Sequence, residues 1–212
     1  MYLPLIFFEL FYKPEKFRFS LELLATLSAE NVEITVFKGV TDLNYEIAYY
    51  SLSGNTEKLA YGIAKRLPEN QAFLTNLQEE EVTLAADVYL VGFGINNGTV
   101  PLKVMDALDR LAGKKIFLFV TCGIEPSEEY KRLIERKIEP FLPDECDYCG
   151  ILLCRGQIAE EVLSKIQRQF AQQPDDPAIK KMISEAKLSE GHPDETDAEN
   201  AVRFIREKLD SF

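Results

Sequence analysis

The sequence predicts an α/β protein: a doubly wound, five-stranded parallel sheet between two layers of helices, α/β/α, with an N-terminal extension. Three observations predict it. From Tyr45 onwards, short apolar runs alternate with patterns of helical period. Two of those runs, Asp87 to Phe93 (DVYLVGF) and Lys115 to Val120 (KIFLFV), are apolar without alternation, as strands buried on both faces are. The composition, 46% hydrophobic and 28% charged over 212 residues, is ordinary for a globular chain. That length supports a core without disulfides or a structural metal.

The elements follow in order. Ile47 to Tyr50 is a strand candidate that runs into Ser51-Leu52-Ser53-Gly54-Asn55-Thr56. Leu59, Ala60, Ile63, Ala64 and Leu67 then share one helical face, which Pro68 ends. Ala72 to Leu77 suits a second strand and Asp87 to Phe93 a third. Thr99 is expected to cap the next helix, with Pro101 in its first turn and Gly113 beyond its end. Lys115 to Val120 leads into Thr121-Cys122-Gly123. Tyr130, Leu133, Ile134 and Ile138 form a helical face that stops before Pro140. Tyr148 to Cys154 is the last strand, and Ile158, Val162, Ile166 and Phe170 mark the helix after it. Asp176-Pro177 opens a further helix, and Thr196 with Glu199 reads as a capping box before Ala201, Val202, Ile205 and Leu209. Strands alternating with helices imply parallel pairing and right-handed crossovers.

Residues 1–44 break this rhythm and are set apart from a main domain, residues 45–212. Phe17, Phe19, Leu21 and Leu23, with Val32, Ile34 and Val36, suit a hairpin, while Leu21, Leu24 and Leu27 suit a short helix equally. The segment is too small to fold alone and is expected to pack on the domain or on a second subunit.

Charge narrows the function. The chain has 24 Lys+Arg against 35 Asp+Glu, a net −11, which argues against nucleic acid because phosphates need a basic face. It lacks any uncharged apolar run of about 18 residues, so a membrane partner is not expected. Met1 to Phe8 has no basic flank or small-residue cleavage site, unlike a signal peptide. Four cysteines, Cys122, Cys146, Cys149 and Cys154, then read as reduced thiols in a cytoplasmic protein.

The strongest chemical signal is the loop Ser51 to Thr56. Ser51, Ser53 and Thr56 offer hydroxyl donors, Gly54 lets backbone approach a ligand, and Asn55 tolerates a left-handed turn. The helix that follows aims unpaired amides at the same point, which suits a phosphate. The loop has no lysine, unlike a Walker loop, so a terminal monophosphate is the expected ligand.

With this loop the chain resembles the flavodoxin family. The match is S/T-x-S/T-G-N-T after the first strand, followed in order by GFGINNGT, TCGIEPSEEY, CRGQI and GHPDETD. The resemblance implies flavin mononucleotide (FMN) as cofactor, its phosphate held by Ser51, Ser53, Gly54, Asn55 and Thr56. It implies that two later loops flank the isoalloxazine ring: Phe93, Gly94, Asn96, Asn97, Gly98 and Thr99, then Thr121, Cys122 and Gly123. Relatives commonly stack a tryptophan or tyrosine on the ring from the first of these loops. This chain has Gly94 there and no tryptophan, leaving Phe93, residues 1–44 or a partner to cover the ring.

Other features have simpler readings. Cys146-x-x-Cys149 lacks the second pair of a zinc site and reads as ordinary thiols. His192, the only histidine, reads as a loop residue, and Glu79-Glu80-Glu81 as a solvated run with docking as the lesser reading. The expected function is an FMN-binding electron carrier, with no catalytic residue or metal of its own. Its expected partners are redox proteins with basic docking patches, a reductase or an acceptor flavin or iron–sulfur enzyme. The alternative is an FMN-dependent NAD(P)H:quinone or flavin reductase, for which Arg155 is the one evident basic group near the loops.

Overall fold

The computed structural model describes residues 43–95 and 99–210. Apart from Leu43 and Asn44, the extension lies outside the described residues, as do Asn96, Asn97 and Gly98. Strands β1 (Tyr45–Tyr50), β2 (Ala72–Asn76), β3 (Val88–Gly94), β4 (Lys115–Cys122) and β5 (Asp147–Arg155) form one five-stranded sheet. The order is β2-β1-β3-β4-β5, and every neighbouring pair is parallel. All the predicted strands are present, each within two residues of its expected end.

Pleating sends alternate residues to opposite faces, and here both faces are covered. Ile47, Tyr49, Leu90 and Phe117 pack under α1 (Asn55–Ala64) and α6 (Glu195–Leu209), against Leu59, Ile63, Val202 and Ile205. Ala48, Val91, Phe93 and Leu118 pack on the other side, against Val104 and Leu108 of α2 (Leu102–Asp109) and Ile134 and Ile138 of α3 (Glu128–Ile138). Each such fully buried aliphatic or aromatic side chain contributes about 1.5–3 kcal/mol. Two further helices, α4 (Glu160–Gln172) and α5 (Pro177–Ser189), stand between β5 and α6. They pack on each other more than on the sheet: α4 buries only Ile166 fully, and Val162 of its predicted apolar face is exposed.

Two predicted caps move. Thr99 does not cap α2: the N-cap is Pro101, whose fixed φ of −61° starts the helix without a side-chain bond. The capping box of α6 is Asp194 with Asp197, not Thr196 with Glu199. The sequence contains two overlapping boxes, and tertiary contacts choose between them. Arg66 of the turn after α1 pairs with Glu195 and Glu199, while His192 takes Asp197, so the earlier box closes.

Glu46 on β1 is fully buried and carries a contact that no local pattern announces. Its carboxylate accepts bonds from Thr75 Oγ1 (2.8 Å), Thr83 Oγ1 (2.8 Å) and Thr83 N (3.0 Å), tying the β2–β3 connection to the sheet. A buried carboxylate is tolerated only when so satisfied.

The strand order places the site. The chain leaves β1 towards β2 on one side and returns to β3 on the other, so the connections after β1 and β3 diverge. Ligands of open α/β sheets bind in that crevice, outside the carboxyl ends of the strands.

Candidate functional site

The centre of the site is the turn from β1 into α1. Gly54 stands at the N-cap with φ +82°, a left-handed conformation that costs a residue with a Cβ about 1–2 kcal/mol. Because glycine has no side chain, α1 begins without a side-chain cap. Its first internal bond runs from Lys58 N to Gly54 O (2.9 Å), so the amides before Lys58 point out of the helix end. Beside them, Ser51 Oγ is buried with no hydrogen-bond partner. An unpaired buried hydroxyl costs about 1–3 kcal/mol. Unpaired amides and an unpaired hydroxyl at one turn suit a compact, acceptor-rich group, and an oxyanion is such a group. Ser53 at the turn's tip is exposed.

Thr56 is 2% exposed, and its Oγ1 lies 2.9 Å from Oγ1 of Thr121, at the end of β4 and 4% exposed. Gly94 ends β3 beside this pair: a Cβ there would meet Thr121 Oγ1 at 3.3 Å and Thr56 Oγ1 at 3.6 Å. Asn55 turns its side chain away, donating from Nδ2 to Gln157 O (2.8 Å) in the loop after β5. Gly156 underlies that amide, and a Cβ on it would stand 2.9 Å from Asn55 Nδ2.

A brace continues outward from Gln157. Gln157 N donates to His192 O (2.8 Å), Ile158 N to Ser189 Oγ (3.2 Å), and Lys58 Nζ to Gly191 O (3.0 Å). His192 Nδ1 sits 2.6 Å from Asp197 Oδ2, inside the α6 cap. The cap's own bonds, Asp197 N to Asp194 Oδ1 (3.0 Å) and Asp194 N to Asp197 Oδ2 (2.8 Å), draw these side chains within 4.8 Å of one another. The Asp197 amide also holds the Asp194 carboxyl below the usual carboxylate range. Arg155 forms an ion pair with Glu185 of α5 at 2.6 Å, both side chains largely buried. Sequence reasoning missed this brace. Its signal was the motifs CRGQI and GHPDETD, whose contacts run through backbone carbonyls.

The residues expected to flank the ring take different places in the fold. Phe93 is 0% exposed in the core, so its ring is not offered to a ligand. Thr121 and Cys122 are also buried; Thr121 lies behind the turn, and Cys122 Sγ faces the carbonyls of Ile124 and Cys154 at 3.4 and 3.5 Å. Burial pushes the Cys122 thiol up to about 11, which keeps it protonated and inert at neutral pH. Gly123 lies half-buried under Ile158, and Thr99 is exposed. Two apolar side chains in the loops after β1 and β4 are exposed: Leu52 at 66% and Ile124 at 44%.

A family model for the flavodoxin domain matches residues 46–206, most of the chain and all five strands of the sheet except the first residue of β1. The chain belongs to the flavodoxin-domain family. It is 28% identical over 166 residues to the flavodoxin-like domain-containing protein BilS of Clostridioides difficile, covering 77% of this chain and 94% of that protein. It is 24% identical over 186 residues to the protein of the same name from Clostridium symbiosum, with the same coverages of 77% and 94%. Among solved structures, it is similar to a flavoprotein in complex with FMN from Lactobacillus acidophilus, with 14% identity and a TM-score of 0.43 over 53% of this chain and 93% of that one. Within this flavodoxin-domain chain, the turn at Ser51–Thr56 is the one place among the described residues where an uncapped helix end and an unpaired buried hydroxyl meet.

Proposed function

We propose that the chain binds FMN by its phosphate at the β1–α1 turn and carries electrons between larger redox proteins. The observation that carries the reading is the buried, unpaired Ser51 Oγ beside the uncapped end of α1. FMN, when bound, supplies an isoalloxazine ring that accepts and gives up electrons. Ser51, Ser53 and the first-turn amides of α1 hold the phosphate, with the Gly54 backbone free to approach it. Leu52 and Ile124 are exposed apolar side chains at the same end of the sheet, available to the ring or to a docked partner. A surrounding net charge of −11 disfavours further negative charge and so lowers the potential of the bound cofactor. Glu79 and Glu80, exposed on the surface, steer basic patches of the partner. The free thiols fit a reducing, cytoplasmic setting.

The alternative, a reductase acting directly on NAD(P)H, needs a basic group for the nicotinamide phosphates, and Arg155 is engaged with Glu185. The test is titration of the apoprotein with FMN and with riboflavin. One FMN per chain, bound at least tenfold tighter than riboflavin, is expected because donors left unpaired cost about 1–3 kcal/mol each. Equal affinity overturns the phosphate site. Rapid unaided oxidation of NADH or NADPH overturns the carrier reading.

A further inference from the structure

We propose that Thr121 is a positioning residue of the phosphate site, acting through Thr56, and that Gly94 is a glycine because a side chain there would crowd this buried pair. The inference rests on the phosphate reading of the β1–α1 turn. It starts from the hydroxyl–hydroxyl contact of 2.9 Å between Thr56 and Thr121, 2% and 4% exposed. Each hydroxyl has one proton and two lone pairs. One proton lies in the bond between them. The other has no acceptor among the described residues. Thr121 sits at the end of β4, with its carbonyl fixed by Ile95 N (2.9 Å). Thr56 stands in the first turn of α1, beside the unpaired amides and Ser51. The arrangement that uses both protons has Thr121 donate to Thr56 and Thr56 donate outward to the phosphate. Thr121 therefore fixes the direction of a bond it does not itself make.

Gly94 completes the arrangement from the third strand. A Cβ at this position falls 3.3 Å from Thr121 Oγ1 and 3.6 Å from Thr56 Oγ1. The first distance is tight enough that the hydroxyl must give way, and an apolar methyl would stand against the oxygens of both threonines. A Cβ at the end of β3 therefore presses on the buried threonine pair, and glycine spares it.

The test measures FMN and riboflavin affinity for the full chain and for Thr121→Val, Thr121→Ser and Gly94→Ala. Thr121→Val keeps the shape and removes the hydroxyl. It is expected to cut the FMN-over-riboflavin preference about tenfold, the size of a bond to a charged group. Thr121→Ser restores the hydroxyl and is expected to restore the preference. Gly94→Ala is expected to lower the preference several-fold, less than Thr121→Val. A residue that merely supported the fold would weaken both ligands alike and leave their ratio unchanged. A wild-type ratio retained in Thr121→Val overturns the proposal while the phosphate reading stands. If the wild-type protein itself fails to prefer FMN, the phosphate reading falls and the proposal with it. If Thr121→Val does not fold, the ratio in Gly94→Ala decides: unchanged, it overturns the proposal.

Discussion

Residues 51–58 and residues 154–197 contribute to the same candidate site in different ways. The first region is contiguous: hydroxyls, a left-handed glycine and a helix start lie side by side, and each residue's chemistry is that of its own side chain or amide. The second is scattered over the loop after β5, the end of α5 and the cap of α6, and its contacts to the first are made largely through main-chain carbonyls. Asn55 reaches Gln157 O across 102 residues of sequence, and Lys58 reaches Gly191 O across 133. Binding groups can be encoded locally because a ligand reads one turn. Rigidity cannot, because it takes a second segment to hold that turn still.

Mutations in the brace break or sharpen this contrast, and the largest effect is expected at Arg155. Arg155→Met leaves the Glu185 carboxylate largely buried without its partner, at a cost of about 3 kcal/mol in urea unfolding. Adding Glu185→Met to it is expected to recover most of that loss. If the double variant is no better than the single one, the ion pair does not organise the region.

Gly156→Ala comes next. Its methyl would stand 2.9 Å from Asn55 Nδ2 and crowd the side chain that joins the two regions, for about 1–3 kcal/mol of stability. FMN affinity is expected to fall with it, since the Asn55 side chain must leave the place from which it ties α1 to Gln157. Wild-type affinity in this variant would show that the brace and the binding turn are independent.

Asp194→Ala is expected to cost about 1 kcal/mol, as loss of a helix cap does. The pH dependence has a definite sign. Asp194 is held below the ordinary aspartate value by the Asp197 amide, so its contribution is complete above that value and lost as pH falls through the lowered one. Wild type and Asp194→Ala should therefore differ at neutral pH and converge in acid. A gap that persists in strong acid would mean the carboxylate is not what stabilises the cap.

The smallest effect on the fold is expected at Glu80→Lys, an exposed position just after β2. Stability should change by less than about 0.5 kcal/mol. Electron delivery to a basic partner should slow at low salt, and the difference should fade near 0.1 M, where screening extends to about 10 Å. A rate that is indifferent to the substitution at low salt would remove this run from the docking surface.

The sequence alone determined the parallel sheet and the make-up of the β1–α1 turn. Unbroken apolar runs such as Lys115 to Val120 are stable only when both faces are covered, and Ser51 to Thr56 carries its donors and its left-handed position in adjacent residues. Residues far apart in the chain had to meet before the rest was decided. Phe93 belongs to the core because α2 closes over its face of the sheet. The α6 cap falls at Asp194 with Asp197, where His192 meets Asp197 and Arg66 holds Glu199 of the other box. Gly94 is paired with two threonines from other elements, which no local pattern displays. Periodicity and turn chemistry act within a few residues, and these choices depend on which side chains the folded sheet brings within about 3 Å, the range of a hydrogen bond.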